Sequence, residues 1–514
     1  LSGDVDVTTL TIGNTVANVA INGDGSTVTN DIDFANDGTL QLGDATGDTL
    51  TFNGGLDTSG VGSTVTLNGT INASDDAITL GADTLGSNTT VDTNAASTNT
   101  ADLNIGAVTG GSNTLTLSTE NNIANADITA SGAISGVTTL TISNAGGTAT
   151  LSGDVDVTTL AVGNTVANLA FTGNGSTVTN DIDFANDGTL TLGASGGTQT
   201  YNGGLDTSGV GSTVTLNGTI ATSNDAVTFG AVTLGSATTI DTNASNTTGD
   251  IAIGAVTGGS NNLTLTTGDN VANSDITASG AISGLGNLTL ADVGGTATFS
   301  ANVAAAALSA DSTVANLVFT GASNTFSAAS TLANDGTLQF GDATGDSFTF
   351  NGGLTTSDVG GTVTLNTSIS TSNDALVFGA ITLGNNITLD TNATNTTGDL
   401  TIGAVTGGSN TLTLTTENNI ANADITASGN ISGVTTLTLT SVGGTATFAG
   451  DVDVTTLAVG NTVANVAING DGSTVTNDID FANDGTLQLG DASGDTLTFN
   501  GGLDTSDVGG TVTL

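Results

Sequence analysis

The chain has 514 residues and 48 acidic side chains with no Lys, Arg or His to balance them, so its formal charge is −48. Pro, Cys, Met and Trp are absent as well. Disulfides, thiol chemistry and Cys/His zinc sites are thereby excluded, and so are basic clamps on phosphate and the cationic surface that nucleic acid requires.

Low aromatic content and uncompensated charge favour disorder. The apolar residues, 36% of the chain, are nonetheless strictly patterned, which predicts an ordered fold. The chain opens at Leu1 without the charged and apolar regions of a signal peptide. Its last repeat stops partway, so we read the window as an interior segment of a longer protein. No apolar run approaches the roughly 18 residues of a membrane-spanning helix, so this segment is not expected to insert in a membrane.

"LSGDVDVTTL" at Leu1 returns at Leu151, and "FAGDVDVTTL" stands at Phe448. The repeat divides the chain into copies at 1–150, 151–298 and 299–447, with a partial fourth at 448–514. Within the first copy, apolar–polar–apolar triplets follow one another: "LTI" at 10–12, "IDF" at 32–34, "LQL" at 40–42, "LTF" at 50–52 and "VTL" at 65–67. They continue with "ITL" at 78–80, "LNI" at 103–105, "LTL" at 115–117 and "LTI" at 140–142. Alternation of period two marks strands with one buried face. The Gly, Asn, Asp and Ser clusters between them are turn chemistry.

The beat averages about a dozen residues and runs through all 514 without a linker-like break. A barrel or sandwich closes near 250 residues, whereas a solenoid grows by adding layers. The predicted fold is therefore all-β: an elongated β-solenoid, a right-handed parallel β-helix. At two beats per turn it has about 25 residues per rung and about 20 rungs, forming a rod about 100 Å long. Tandem β-sandwich domains are the alternative.

Three segments sharpen the expectation. "ANVAAAALSADSTVANL" at 301–317 has helical propensity but occupies the slot of residues 3–19. A strand is predicted there, with Ala305 in place of Val7 and Leu308 in place of Leu10. "ANDGTL" at 35–40, 185–190, 333–338 and 482–487 predicts a tight turn with Gly38 at positive φ. "IGAVTGGSN" at 105–113, 253–261 and 402–410 predicts a corner at its Gly pair.

Chemistry is scarce. A nucleophilic Ser or Thr lacks a His or Lys base, and a site written into a repeat would occur several times, so no enzyme is expected. Paired carboxylates suit glycoside hydrolysis in principle, but nothing singles out a pair. Hard cations suit carboxylates, so calcium is the one cofactor the composition leaves open, while each acid reads first as a turn cap or a solvated edge. The candidate ligands are Asp37, Asp187, Asp335 and Asp484, one per copy, with Asp92, Asp102 and Asp127 as further recurring acids. Asp31 and Asp33 alternate with Ile32 and Phe34 and read as a wet face; the third copy has Ala329 and Thr331 instead. Glutamate occurs only at Glu120 and Glu417. Asn-x-Ser/Thr triplets at Asn68, Asn72, Asn88, Asn217, Asn243, Asn246 and Asn366 read as a consequence of composition.

The Gly-, Thr-, Asn- and Asp-rich rungs, the "LTL" triplets and the lack of Cys resemble the repetitive passenger regions of large bacterial surface adhesins, of the autotransporter and filamentous-haemagglutinin-like kinds. The likeness spans the whole window. The acidic, Lys-poor composition is similar to that of surface-layer and sheath proteins. The resemblance implies an extracellular, cell-surface setting, which a chain without sites for trypsin-like proteases suits. The expected function is a non-catalytic structural rod or stalk. The alternative is a self-assembling filament, sheath or surface-layer subunit, bridged by cations. The expected partners are counter-ions and further copies of the chain, not nucleic acid.

Overall fold

The computed structural model describes residues 1–97, 101–246, 249–394 and 398–514. It is all-β, with no helix among the described residues; parallel strands about 22 residues apart stack into a β-solenoid of about 23 turns. The strands group into two compact units, one built on Leu1–Ala244 and the other on Ala255–Leu514.

The local pattern explains the strands. In Leu40–Leu42, Ile78–Leu80 and Leu190–Leu192 the two apolar residues are buried and the polar residue between them is half-exposed. Period-two alternation therefore puts every second side chain into the core. Thr, whose branched side chain suits a pleated surface, fills many of the outer places. Of the triplets in the first copy, only Leu10–Ile12 is not a strand. Its counterpart at 160–162 is a strand that pairs with residues 140–142 of the preceding turn.

Three parallel ladders run through the first unit. One links Val19, Leu40, Val65, Asp83, Val108, Ile134 and Val155. A second links Ile32, Leu56, Ile78, Leu103, Ile128, Ala149 and Leu169. The third links Asp6, Thr27, Thr51, Asn72, Asp92 and Ser118. A turn thus holds three strands, not the two expected, and about 22 residues rather than 25. Pairs such as Leu56–Asp57 and Val108–Thr109 are only two residues long and carry no triplet to betray them.

A consequence for the repeat follows. Six turns above Val19 the ladder reaches Val155, but the residue matching Val19 in the second copy is Leu169, which lies on the ladder of Ile32. The second unit behaves alike. The ladder from Leu317 climbs through Leu338, Val363, Ile381, Val405 and Ile431 to Val452. Val466, the match of Leu317, instead stands above Ala446, Ile425, Leu400 and Leu376. Within each unit, a given residue and its match one copy later occupy different faces.

The core is a column of Leu, Ile, Val and Phe. In the second unit Phe299, Phe319 and Phe340 stack with ring centroids 4.9 and 6.1 Å apart, and Phe326 stacks on Phe350 at 4.8 Å. The Ala-rich segment is the strand Val303–Ala310, as expected, and Ala305 and Leu308 are buried in it. Ala305 pairs with Leu285 below and Phe326 above. Interstrand bonds to both neighbours outweigh a helix propensity worth a few tenths of a kcal/mol per residue.

Candidate functional site

The "ANDGTL" corners hold the four candidate acids. In each, the Asn is fully buried and its Nδ2 donates to the Thr carbonyl three residues on. These are Asn36 to Thr39 at 3.0 Å, Asn186 to Thr189 at 3.0 Å, Asn334 to Thr337 at 3.0 Å and Asn483 to Thr486 at 2.9 Å. The Thr is tied to the turn below: Asn18 Oδ1 accepts both the N–H of Thr39 at 3.2 Å and its hydroxyl at 2.8 Å. Gly38 does not take a positive φ, contrary to expectation. Its role is proximity, because a Cβ there would lie 1.7 Å from the Ala17 carbonyl oxygen of the preceding turn.

Asp37, Asp187, Asp335 and Asp484 all face solvent at these corners. The structure does not bring them together. Asp37 lies between the strands Ile32–Asp33 and Leu40–Leu42, whereas Asp187 lies between Ile182–Asp183 and Leu190–Leu192, a different corner of the first unit. Among the described residues, no group of three or more acidic side chains is placed to hold a metal.

The other recurring acids are engaged with backbone. Asp102 Oδ1 accepts the N–H of Asp127 at 3.0 Å, and Asp127 Oδ1 accepts that of Thr148 at 2.6 Å. Asp399 and Asp424 repeat the arrangement at 3.0 and 2.7 Å. Asp48 Oδ2 takes the N–H groups of Asp44 and Ala45 at 2.7 and 2.9 Å, which hold its carboxyl below the usual range. Each of these carboxylates satisfies donors that a corner leaves free. The Gly pair of "IGAVTGGSN" is a corner as expected, with Gly111 at φ 57° and Ser112 at φ 70°. Asp31 and Asp33 are exposed beside buried Ile32 and Phe34, the wet face foreseen.

Two matching hollows of about 520 Å³ lie at copy junctions, one around Val137, Thr138, Asp156 and Thr177, the other around Val434, Thr435, Asp453 and Thr474. In the first, two of the polar groups already have partners. Thr138 Oγ1 donates to the Asn113 carbonyl at 3.2 Å, and Asp156 Oδ1 accepts the Thr177 N–H at 3.1 Å.

One group escaped sequence reasoning. Asp83 points into the core between Val65 and Val108, 3% exposed, and neither carboxylate oxygen has a partner. Burial pushes its carboxyl up to about 8, so it is protonated at neutral pH. The signal was present in the alignment of copies, where Val232 and Ile381 fill the same slot.

No family model, curated protein or solved structure matches the chain. The structure defines its class, a repetitive parallel β-solenoid.

Proposed function

We propose that this segment is a non-catalytic structural stalk of a large, repetitive bacterial surface protein, working outside the cell to hold another part of the protein at a distance. One observation carries the reading: near-identical copies follow each other, yet matching residues step to a new face within each unit. Such an arrangement conserves stacking while preventing any face from collecting a row of like sites. The uniform outer Thr, Asn and Asp side chains serve solubility and corner bonding. Excising one copy, residues 151–298, from the intact surface protein is expected to shorten its reach and leave binding by its distal part unchanged. Loss of adhesion with reach unaltered would refute the stalk.

A second reading has one feature in its favour: the 48 unbalanced acids, with Asp37, Asp187, Asp335 and Asp484 all exposed. A coat or filament bridged by calcium would use them. Chelation with EDTA would then dissolve the assembly and calcium restore it, whereas a stalk is indifferent to both.

A further inference from the structure

The only two glutamates of the chain stand beside two partly covered aspartates, at matching places in the first and third copies. Asp92 ends the strand Asp83–Asp92 and is 8% exposed. Asp390 ends Ile387–Asp390 and is half-buried. One turn above, Glu120 lies within hydrogen-bonding reach of Asp92, and Glu417 of Asp390.

The surroundings are built alike. Asn94 N–H donates to Asp92 Oδ1 at 2.9 Å and Asn392 N–H to Asp390 Oδ1 at 2.8 Å. The glutamates open left-handed corners: Glu120, Asn121 and Asn122 have φ of 48°, 48° and 51°, and Glu417, Asn418 and Asn419 have 50°, 48° and 48°. Three successive non-glycine residues in this region need outside support. Part of it is visible, since Asn121 Nδ2 donates to the Ala95 carbonyl at 3.1 Å and Asn418 Nδ2 to that of Ala393 at 3.3 Å.

We propose that the Asp92–Glu120 and Asp390–Glu417 pairs are proton-sharing clamps, which tighten these two corners in mild acid and loosen them at neutral pH. A shared proton lets one carboxyl donate to the other; when it leaves to solvent, two anions face each other across a corner already strained. Burial, and then the neighbouring glutamate, raise the Asp92 carboxyl, and the same two causes push Asp390 up to about 6. The ladder neighbours of Asp92 are Asn72 and Ser118, and those of Asp390 are Ser370 and Thr415, all uncharged. Asp346 lines the same hollow of about 210 Å³ as Asp390, and its Oδ2 is taken by the N–H groups of Asp342 and Ala343.

The sign follows from linkage. With the folded pKa above the unfolded one, the contribution to stability is complete below the unfolded value of 3.8 and is lost as pH rises through about 6. The second copy gives a comparison, because Gly268 stands where the other two have glutamate; its own acid is Asp269, one residue on, where they have Asn121 and Asn418.

Hydrogen exchange on the intact chain, corrected for intrinsic pH dependence, tests this. Amides of 120–122 and 417–419 are expected to exchange about tenfold more slowly at about pH 5 than at about pH 7.5, with a smaller change at 268–270. Glu120→Gln and Glu417→Gln place a permanent N–H donor in the clamp and are expected to flatten the dependence. Equal slowing at all three corners, dependence unchanged in the Gln variants, or slowing that needs added calcium would each overturn the proposal.

Discussion

Asp83 shows how far one side chain departs from its surroundings. Its neighbours on the ladder are valines, and no hydrogen bond repays the burial of its carboxyl. The folded pKa is raised to about 8 from 3.8. The linked stability is therefore whole below pH 3.8, declines as pH rises, and is gone above about 8. Replacing Asp83 with Val, the residue at the matching position 232, is expected to stabilise the turn by on the order of 4 kcal/mol at neutral pH. The gain should shrink toward pH 4 and read out as slower amide exchange in Val65–Ala73 and Val108–Thr109. No gain at pH 8 would mean that the carboxyl finds water. Tyr201 and Gln199 show the opposite case, a buried polar pair that is satisfied. The Tyr201 hydroxyl donates to Gln199 Oε1 at 2.9 Å, and Gln199 Nε2 donates to the Phe171 carbonyl at 2.9 Å. Leu50 and Phe52 hold these slots in the first copy, so both residues change together and no orphan is left.

At the scale of the element, strands are cheap to write and corners are not. Any apolar–polar–apolar triplet serves as a rung, and even Val303–Ala310, nearly all alanine at its centre, is held in line by its neighbours. The corners tolerate less, because each must pass its neighbour at one layer spacing of about 4.8 Å. At Gly188 an added Cβ would meet the Ala167 carbonyl oxygen at 2.1 Å, at Gly336 that of Ala315 at 2.4 Å, and at Gly485 that of Ala464 at 2.5 Å. The obstructing atom is backbone and cannot swing aside. Gly188→Ala is expected to cost about 1–3 kcal/mol, seen as faster exchange at the corner and a lower denaturation midpoint. Gly13→Ala, with nothing within 4 Å, should be silent at the same corner-resolved readout. Equal effects at both sites would show that close approach is not what the corner glycine supplies.

At the scale of the molecule, the copy and the turn are different units of construction. Because a copy is not a whole number of turns, a residue and its match face different ways within each unit, and each must suit whichever face it lands on. Faces are therefore interchangeable. Removing residues 21–170 joins Ala20 to Phe171, a junction whose local sequence already exists as Ala170–Phe171. This deletion is expected to leave β-sheet content per residue and the denaturation midpoint close to those of the parent, as circular dichroism would measure. A molten product would show that the faces differ in ways the copies conceal.

The period-two triplets, the Gly–Asn–Asp corners and the uninterrupted beat were enough to determine an all-β solenoid, and the Ala-rich strand was legible because its slot in the copy outranked its propensity. The corner at Gly110–Gly111 and the wet face of Asp31 and Asp33 were legible for the same local reasons. What only the tertiary structure decided is everything that passes between layers. Three strands to a turn, the contact of Gly38 with Ala17, and the meeting of Asp92 with Glu120 all join residues roughly 20 to 28 apart. Such pairings depend on how many residues each corner consumes, and corner lengths vary from turn to turn. Local alternation says which side of a strand is wet, but only the stacked register says what lies above it.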